Sequence, residues 1–287
     1  MQISNDEYLH FKPLLFSLGY RMLGSITETE DAMHETFLKA YQIPEEKLEN
    51  KKAYLCKMMT NRCLDVLKSA RYRREHYMGP WNPEPLLLEN EFEGDPSQAL
   101  LQKEGLSIAY LRMMEHLNPD ERAVLLLRDV FDFSYTEIAD IIEKSQDNCR
   151  KVFSRAKHKI SGVENESLHY EHNQSLINHF IQAFETQNTE ILLDLISDQV
   201  TLYSDGGGKV KSAVRPIESA SNVLAFLYGI AKKVPEATFS DMTTINGQPA
   251  ILYYMNGALY GTLSFYITKG QIEELYITLN PDKLPRS

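Results

Sequence analysis

Two stretches of this 287-residue chain concentrate cations at helical spacing, which is what binding a phosphate backbone requires. Between Lys57 and Arg74, the cations Lys57, Arg62, Lys68, Arg71, Arg73 and Arg74 face Asp65 alone, a local balance of +5. Between Lys144 and Lys159, the cations Lys144, Arg150, Lys151, Arg155, Lys157 and Lys159 face Asp147 alone, again +5. The first stretch interleaves Tyr54, Asn61 and Tyr72, with Trp81 nearby, and flat or amide side chains beside cations suit unpaired bases. A third candidate is Asp205, followed by Gly206-Gly207-Gly208-Lys209. A carboxylate can serve as a base, but no histidine or second carboxylate is tied to this one by spacing. Three glycines suit a turn whose backbone must approach another surface.

The formal net charge of -10 argues at first against nucleic acid, and a lone charge run is most often the solvated face of a helix. Distribution outweighs the sum, and the elements around the second patch give it a purpose. Phe133 to Ile142 reads as a helix, Glu143-Lys144-Ser145 as a tight turn, and Gln146 to Ile160 as a second helix, which together make a helix-turn-helix. Ile138, Ala139 and Ile142 are expected to pack on Cys149, Val152, Phe153 and Ala156. That packing aims Gln146, Asp147, Asn148, Arg150 and Lys151 at base edges, with Ser154, Arg155 and Lys157 on phosphates. Glu143 stands where such turns often carry glycine.

Around these patches the apolar periodicity divides the chain. Residues 1–75 read as an all-helical unit, through Leu14, Leu15, Leu18, Phe37, Leu55, Met59, Cys63 and Leu67. Residues 76–96 hold Gly79, Pro80, Pro83, Pro85, Gly94 and Pro96 and read as a linker, yet Trp81 and Leu86-Leu87-Leu88 are too apolar for an idle tether. Residues 97–161 form a second helical unit, in which Asn118-Pro119-Asp120-Glu121 is a helix start. Residues 168–287 read as α+β with an antiparallel sheet, and Asn246-Gly247, Asn256-Gly257 and Lys269-Gly270 mark hairpins.

Cys56, Cys63 and Cys149 form no C-x-x-C pair and no cluster with histidines, so they are expected to be reduced core residues, with no metal site and no cofactor. The start lacks a basic and apolar leader, and no segment approaches ~20 uninterrupted apolar residues, so no membrane association and a cytoplasmic location are expected.

With these features in order, residues 8–161 resemble the extracytoplasmic-function (ECF) sigma factors of bacterial RNA polymerase. Thr29 to Tyr41 is similar to the region-2 helix that docks on the polymerase β′ clamp, and the resemblance implies contacts from Asp31, Glu35 and Phe37; His34 stands where glutamine is usual. Ala53 to Arg74 is similar to the part that melts the -10 element, implying roles for Lys57, Asn61, Arg62, Asp65, Lys68, Arg71, Arg73 and Arg74. Leu117 through Lys159 is similar to region 4, which binds the β flap and reads the -35 element. That implies readers among Gln146, Asn148, Arg150, Lys151, Ser154, Arg155 and Lys157.

The resemblance narrows to the SigJ-like group, which carries a C-terminal SnoaL-like extension. It rests on Trp81-Asn82-Pro83-Glu84-Pro85, where Asn82 replaces leucine, on Cys149-Arg150, on Asp205-Gly206-Gly207-Gly208-Lys209, and on Asn280-Pro281-Asp282-Lys283-Leu284. The implied fold is two all-α sigma domains, the second with a helix-turn-helix, followed by an α+β SnoaL-like (nuclear-transport-factor-like) cone. The implied function is promoter-specific initiation with core RNA polymerase, without catalysis by this chain. Control falls to the fused domain through Trp81, Pro83, Glu84, Pro85, Asp205, Gly206, Gly207, Gly208 and Lys209. Two rivals remain: a stand-alone regulator whose C-terminal pocket takes a small ligand, and an isomerase- or cyclase-type enzyme with Asp205 as base.

Overall fold

The computed structural model describes residues 5–42, 50–74, 77–87, 106–160, 170–233 and 238–285. It divides into two compact units, one of residues 1–75, 92–106 and 111–163, the other of residues 76–91, 107–110 and 164–287.

The first unit is helical. Helices α1 (Asn5–Leu23), α2 (Ile26–Ala40) and α3 (Lys51–Arg74) pack on one another through Leu15, Leu18 and Met22, Ala32, Met33 and Phe37, and Leu55, Met59 and Cys63. These residues repeat at three and four, so each helix offers one apolar stripe. Gly19 marks the crossing: a Cβ there would stand 2.3 Å from Met59 Cε and 2.8 Å from Thr29 Cγ2, so only glycine lets the helices approach. Helix α2 starts on Ser25, whose hydroxyl accepts the Glu28 amide at 3.1 Å.

After α4 (Ile108–Met114), helices α5 (Pro119–Asp129), α6 (Tyr135–Ile142) and α7 (Gln146–Lys159) follow closely. Asn118 with Glu121 and Ser134 with Glu137 form reciprocal capping boxes, and Ser145 caps α7 by accepting the Asn148 amide. The turn between α6 and α7 puts Glu143 in the left-handed region, at φ +56°, the conformation for which such turns often use glycine. Ile138, Ile141 and Ile142 are buried with Cys149, Val152 and Ala156. All three cysteines are free and buried, and burial pushes the Cys56 thiol up to about 12 despite the nearby Lys52 cation.

In the first unit helices α1–α3 and helices α5–α7 dock on each other. The buried Arg122 of α5 donates to the Met22 carbonyl at the end of α1, and Lys57 of α3 donates to the Asp140 carbonyl of α6 at 2.7 Å. Lys52 lies 5.3 Å from the Phe133 ring centre.

The second unit is built on a six-stranded sheet in the order β2-β1-β6-β5-β4-β3, with β1 Ile196–Asp205, β2 Ile217–Glu218, β3 Thr238–Ile245, β4 Gln248–Met255, β5 Ala258–Thr268 and β6 Gln271–Thr278. The expected all-antiparallel sheet is corrected: β1 runs parallel to β6. A parallel pair needs a crossover rather than a tight turn, and the chain between them supplies it through β2, helix α10 (Ala220–Ala231) and the β3–β5 meander. The three expected hairpins each turn on two positive-φ residues, Asn246-Gly247, Asn256-Gly257 and Lys269-Gly270, which match the strand twist.

Helices α8 (Tyr170–Glu185), α9 (Thr189–Leu195) and α10 cover one face of the sheet. Between them, Phe180, Leu192, Val200, Leu224, Ile251, Phe265 and Leu275 form a continuous buried cluster. The opposite face buries Tyr276, Ala250, Leu252 and Ile245, with Ile108, Ala109 and Leu87 packed on it.

Candidate nucleic-acid interface and the linker anchor

Helix α7 is the second helix of the helix-turn-helix. Its buried positions leave Asp147, Asn148, Arg150, Lys151, Ser154, Arg155 and Lys157 on one exposed face, with Gln146 half-buried at the N-terminus. The +5 balance of this stretch is partly neutralised by α5: Lys157 pairs with Asp129 at 2.7 Å, Lys159 with the buried Glu121 at 2.7 Å, and Lys144 with Asp120 at 2.8 Å. Glu121 is held below the ordinary carboxylate range: burial alone would raise it, and the Lys159 contact and the Asn118 amide outweigh that. The outward cations of the N-terminal half are Arg150 and Lys151, and Arg150 carries a local contact with Asp147 at 3.1 Å.

The first basic patch is less uniform. Lys57 is turned to the Asp140 carbonyl and stands 3.8 Å from Glu143; Arg62 pairs with Glu35 at 2.8 Å; Lys68 is exposed, 3.6 Å from Asp65; Asn61 is half-buried. The side chains of Arg71, Arg73 and Arg74 lie outside the described residues. The Arg62–Glu35 pair joins a residue assigned to DNA with one assigned to polymerase. On α2, Asp31 is exposed, whereas Phe37 is 2% exposed and packs on Tyr8 with ring centres 4.4 Å apart. Phe37 therefore belongs to the core stripe, and its neighbour Leu38, 50% exposed, carries the apolar group on the surface, a residue that the sequence reading passed over.

A third constellation lies within the second unit, where segment 77–87 is strapped to the sheet. Asp205, at the end of β1, is 0% exposed and its carboxylate is fully engaged. Oδ1 accepts from the Tyr77 hydroxyl at 2.6 Å and the Gly207 amide at 3.0 Å; Oδ2 accepts from the Asn82 amide at 2.8 Å and Lys283 Nζ at 2.8 Å. A carboxylate has about four acceptor sites, and all are used, which leaves no lone pair for a substrate proton.

Lys283 is equally committed. It also donates to the Asn82 carbonyl at 2.6 Å, and it lies 4.1 Å from the Trp81 ring centre and 5.0 Å from that of Tyr77. Burial, then the Asp205 hydrogen bond and charge, push the Tyr77 hydroxyl well above the ordinary tyrosine range.

The Asp205 turn explains its glycines. Gly207 has φ +59°, and a Cβ there would stand 2.3 Å from Asn280 Nδ2; one on Gly206 would stand 2.2 Å from the Val210 carbonyl oxygen. Lys209 is exposed and pairs with Asp282. Asn82 is completely buried and its side-chain amide donates to the Ile277 carbonyl at 3.0 Å. Pro83, Glu84 and Pro85 are buried, and the strap continues to Leu86, which exchanges hydrogen bonds with Asn246 at 2.9 and 3.0 Å. Tyr77, Asn280 and Lys283 were missing from the sequence-derived site because they lie up to some two hundred positions from their partners.

Residues 8–73 match the family model Sigma-70 region 2, and residues 107–160 match Sigma-70, region 4. Two helical modules with these matches, the second presenting a basic recognition helix, define a sigma-70-type promoter-recognition factor. Over 100% of its length the chain is 27% identical to the ECF RNA polymerase sigma factor SigJ of Mycobacterium tuberculosis H37Rv, covering 94% of that protein. It is also 27% identical to the probable ECF sigma factor SigI of that species, over 94% of this chain and 91% of the other. The crystal structure of M. tuberculosis SigJ has the same fold, with a TM-score of 0.79 at 23% identity and coverage of 98% of both chains. The chain thus matches SigJ over its full length in both sequence and fold, and it carries sigma-70 regions 2 and 4 followed by a mixed-sheet α+β domain. It directs promoter-specific transcription initiation by core RNA polymerase, and sigma factors as a family are not enzymes. Among the described residues no helix is long and apolar enough to cross a membrane.

Proposed function

We propose that this sigma factor, working in the cytoplasm, is controlled by its own C-terminal domain, which holds the linker between region 2 and region 4 as a fixed strap. The observation that carries this reading is the buried Asp205–Lys283 pair. Linker residues Tyr77 and Asn82 close on it, and the Trp81 ring covers its cation. A linker held in this way limits how far the two modules it joins can separate. The docking of region 2 on region 4 through Arg122 and Lys57 supports a compact resting state, and two promoter elements cannot be read together until that docking opens.

In the open state, α2 engages the β′ clamp through Asp31, Glu35 and Leu38, and region 4 engages the β flap. Helix α3 opens the -10 element with Asn61, Arg62, Lys68, Arg71, Arg73 and Arg74, assisted by Lys57 once it leaves Asp140. Gln146, Asn148, Arg150 and Lys151 read the -35 element, with Ser154, Arg155 and Lys157 on phosphates. Asp205 acts as an anchor rather than a base, so the chain itself catalyses no reaction. The side chains packed between the helices and the sheet favour this structural role over a ligand-sensing pocket.

Staged truncations in run-off transcription with purified core polymerase test the control. Ending the chain at residue 204 removes most of a domain that is needed for activity as well as for restraint and is expected to abolish transcription, whereas trimming only the extreme tail is expected to raise it. Equal activity from every version would sink the proposal.

A further inference from the structure

The first turn of α6 touches two residues of the recognition helix that are assigned to base reading. The Tyr135 ring lies under two cations, with the Arg150 guanidinium carbon 5.3 Å and that of Arg128 5.1 Å from its centre. The ring is itself fixed: Phe153 meets it edge-on at 6.1 Å, and Arg128 Nη1 donates to the Phe133 carbonyl at 2.9 Å. One residue on, the exposed Thr136 hydroxyl accepts a hydrogen bond from Gln146 Nε2.

We propose that Tyr135 and Thr136 are specificity-determining positioning residues: they hold Arg150 and Gln146 of the recognition helix in the orientations that meet the -35 bases. This rests on the assignment of Arg150 and Gln146 as base readers. Arginine is a long side chain with many rotamers, and reading guanine requires its planar fork in one orientation. A cation held over a ring face spends none of its N–H donors, so the part of the Arg150 edge not turned to Asp147 stays available to a base. Gln146 needs the same help, because an amide reads adenine only with its oxygen and nitrogen in the right places. Tyr135 and Thr136 hold both readers before DNA arrives, which lowers the ordering cost for the correct base sequence.

The test uses full-length chain with core polymerase, selecting bound promoters from a library randomised across the -35 element and sequencing them. R150A is expected to flatten preference at one base position. Y135L should lower discrimination at that same position ~2–5-fold and leave the others unchanged, while Y135F preserves it. T136V should reduce preference only where Q146A does, with T136S retaining it. Thr136 is exposed, so this arm stands even if Y135L fails to assemble.

The positioning role is overturned if Y135L and T136V leave those positions intact, or weaken every position equally as a merely structural defect would. It is also overturned if Y135F behaves as Y135L does. If R150A and Q146A flatten no position, the base-reader assignment itself fails, a result distinct from the others.

Discussion

Replacing Lys283 by methionine removes the cation from the Asp205 anchor and keeps its aliphatic bulk. Asp205 is then a buried carboxylate with three donors in place of four and no opposite charge in contact. Breaking a buried ion pair by removing one partner costs roughly 3–5 kcal/mol. The three remaining hydrogen bonds put the total, the lost cation over Trp81 included, near the lower end of that range.

A local penalty of about 3 kcal/mol corresponds to ~100-fold at 1.4 kcal/mol per decade. The Asn82 amide, bonded to Asp205, and the Leu86 amide, bonded to Asn246, report the strap by hydrogen exchange. In K283M both are expected to exchange ~100-fold faster, while amides in the centre of β5 change far less. K209M is the internal control: the Lys209–Asp282 pair is 54% and 63% exposed, and its loss should cost under ~1 kcal/mol. If Asn82 in K283M keeps its protection within about threefold of wild type, the Asp205–Lys283 pair is not what holds the strap.

G207A places a Cβ against the Asn280 amide at positive φ and should destabilise the C-terminal unit by roughly 2–4 kcal/mol, read as a shift in its denaturant midpoint. F37A should cost ~3–5 kcal/mol of stability as a core truncation, whereas L38D should leave stability within ~0.5 kcal/mol and weaken core-polymerase binding about tenfold in a pull-down titration. K57M removes the bond to the Asp140 carbonyl and should lengthen the distance between region 2 and region 4 by fluorescence transfer, with under ~1 kcal/mol change in stability.

Much of this was legible in local sequence, because the signals are local. Asn118-Pro119, the two-residue hairpin turns and the period of α6 and α7 each carry their geometry within a few positions. Which face of α7 is exposed follows from the burial of Cys149, Val152 and Ala156. What escaped depends on pairings far apart in the chain. Phe37 and Leu38 are adjacent apolar residues on one helix, and only the packing of α1 against α2 decides which is buried. Lys144, Lys157 and Lys159 counted as basic surface until α5 supplied Asp120, Asp129 and Glu121. The parallel pairing of β1 with β6 leaves no turn signal, and Lys283 meets Asp205 only once that pairing forms.

The account is tested most directly by adding the purified full-length chain to core RNA polymerase from the same cells and sequencing transcript 5′ ends on genomic template. New start sites sharing one pair of upstream elements at fixed spacing, absent with core alone, are the predicted result. Binding to DNA without polymerase, with no new start sites when polymerase is added, would contradict it and favour a stand-alone regulator.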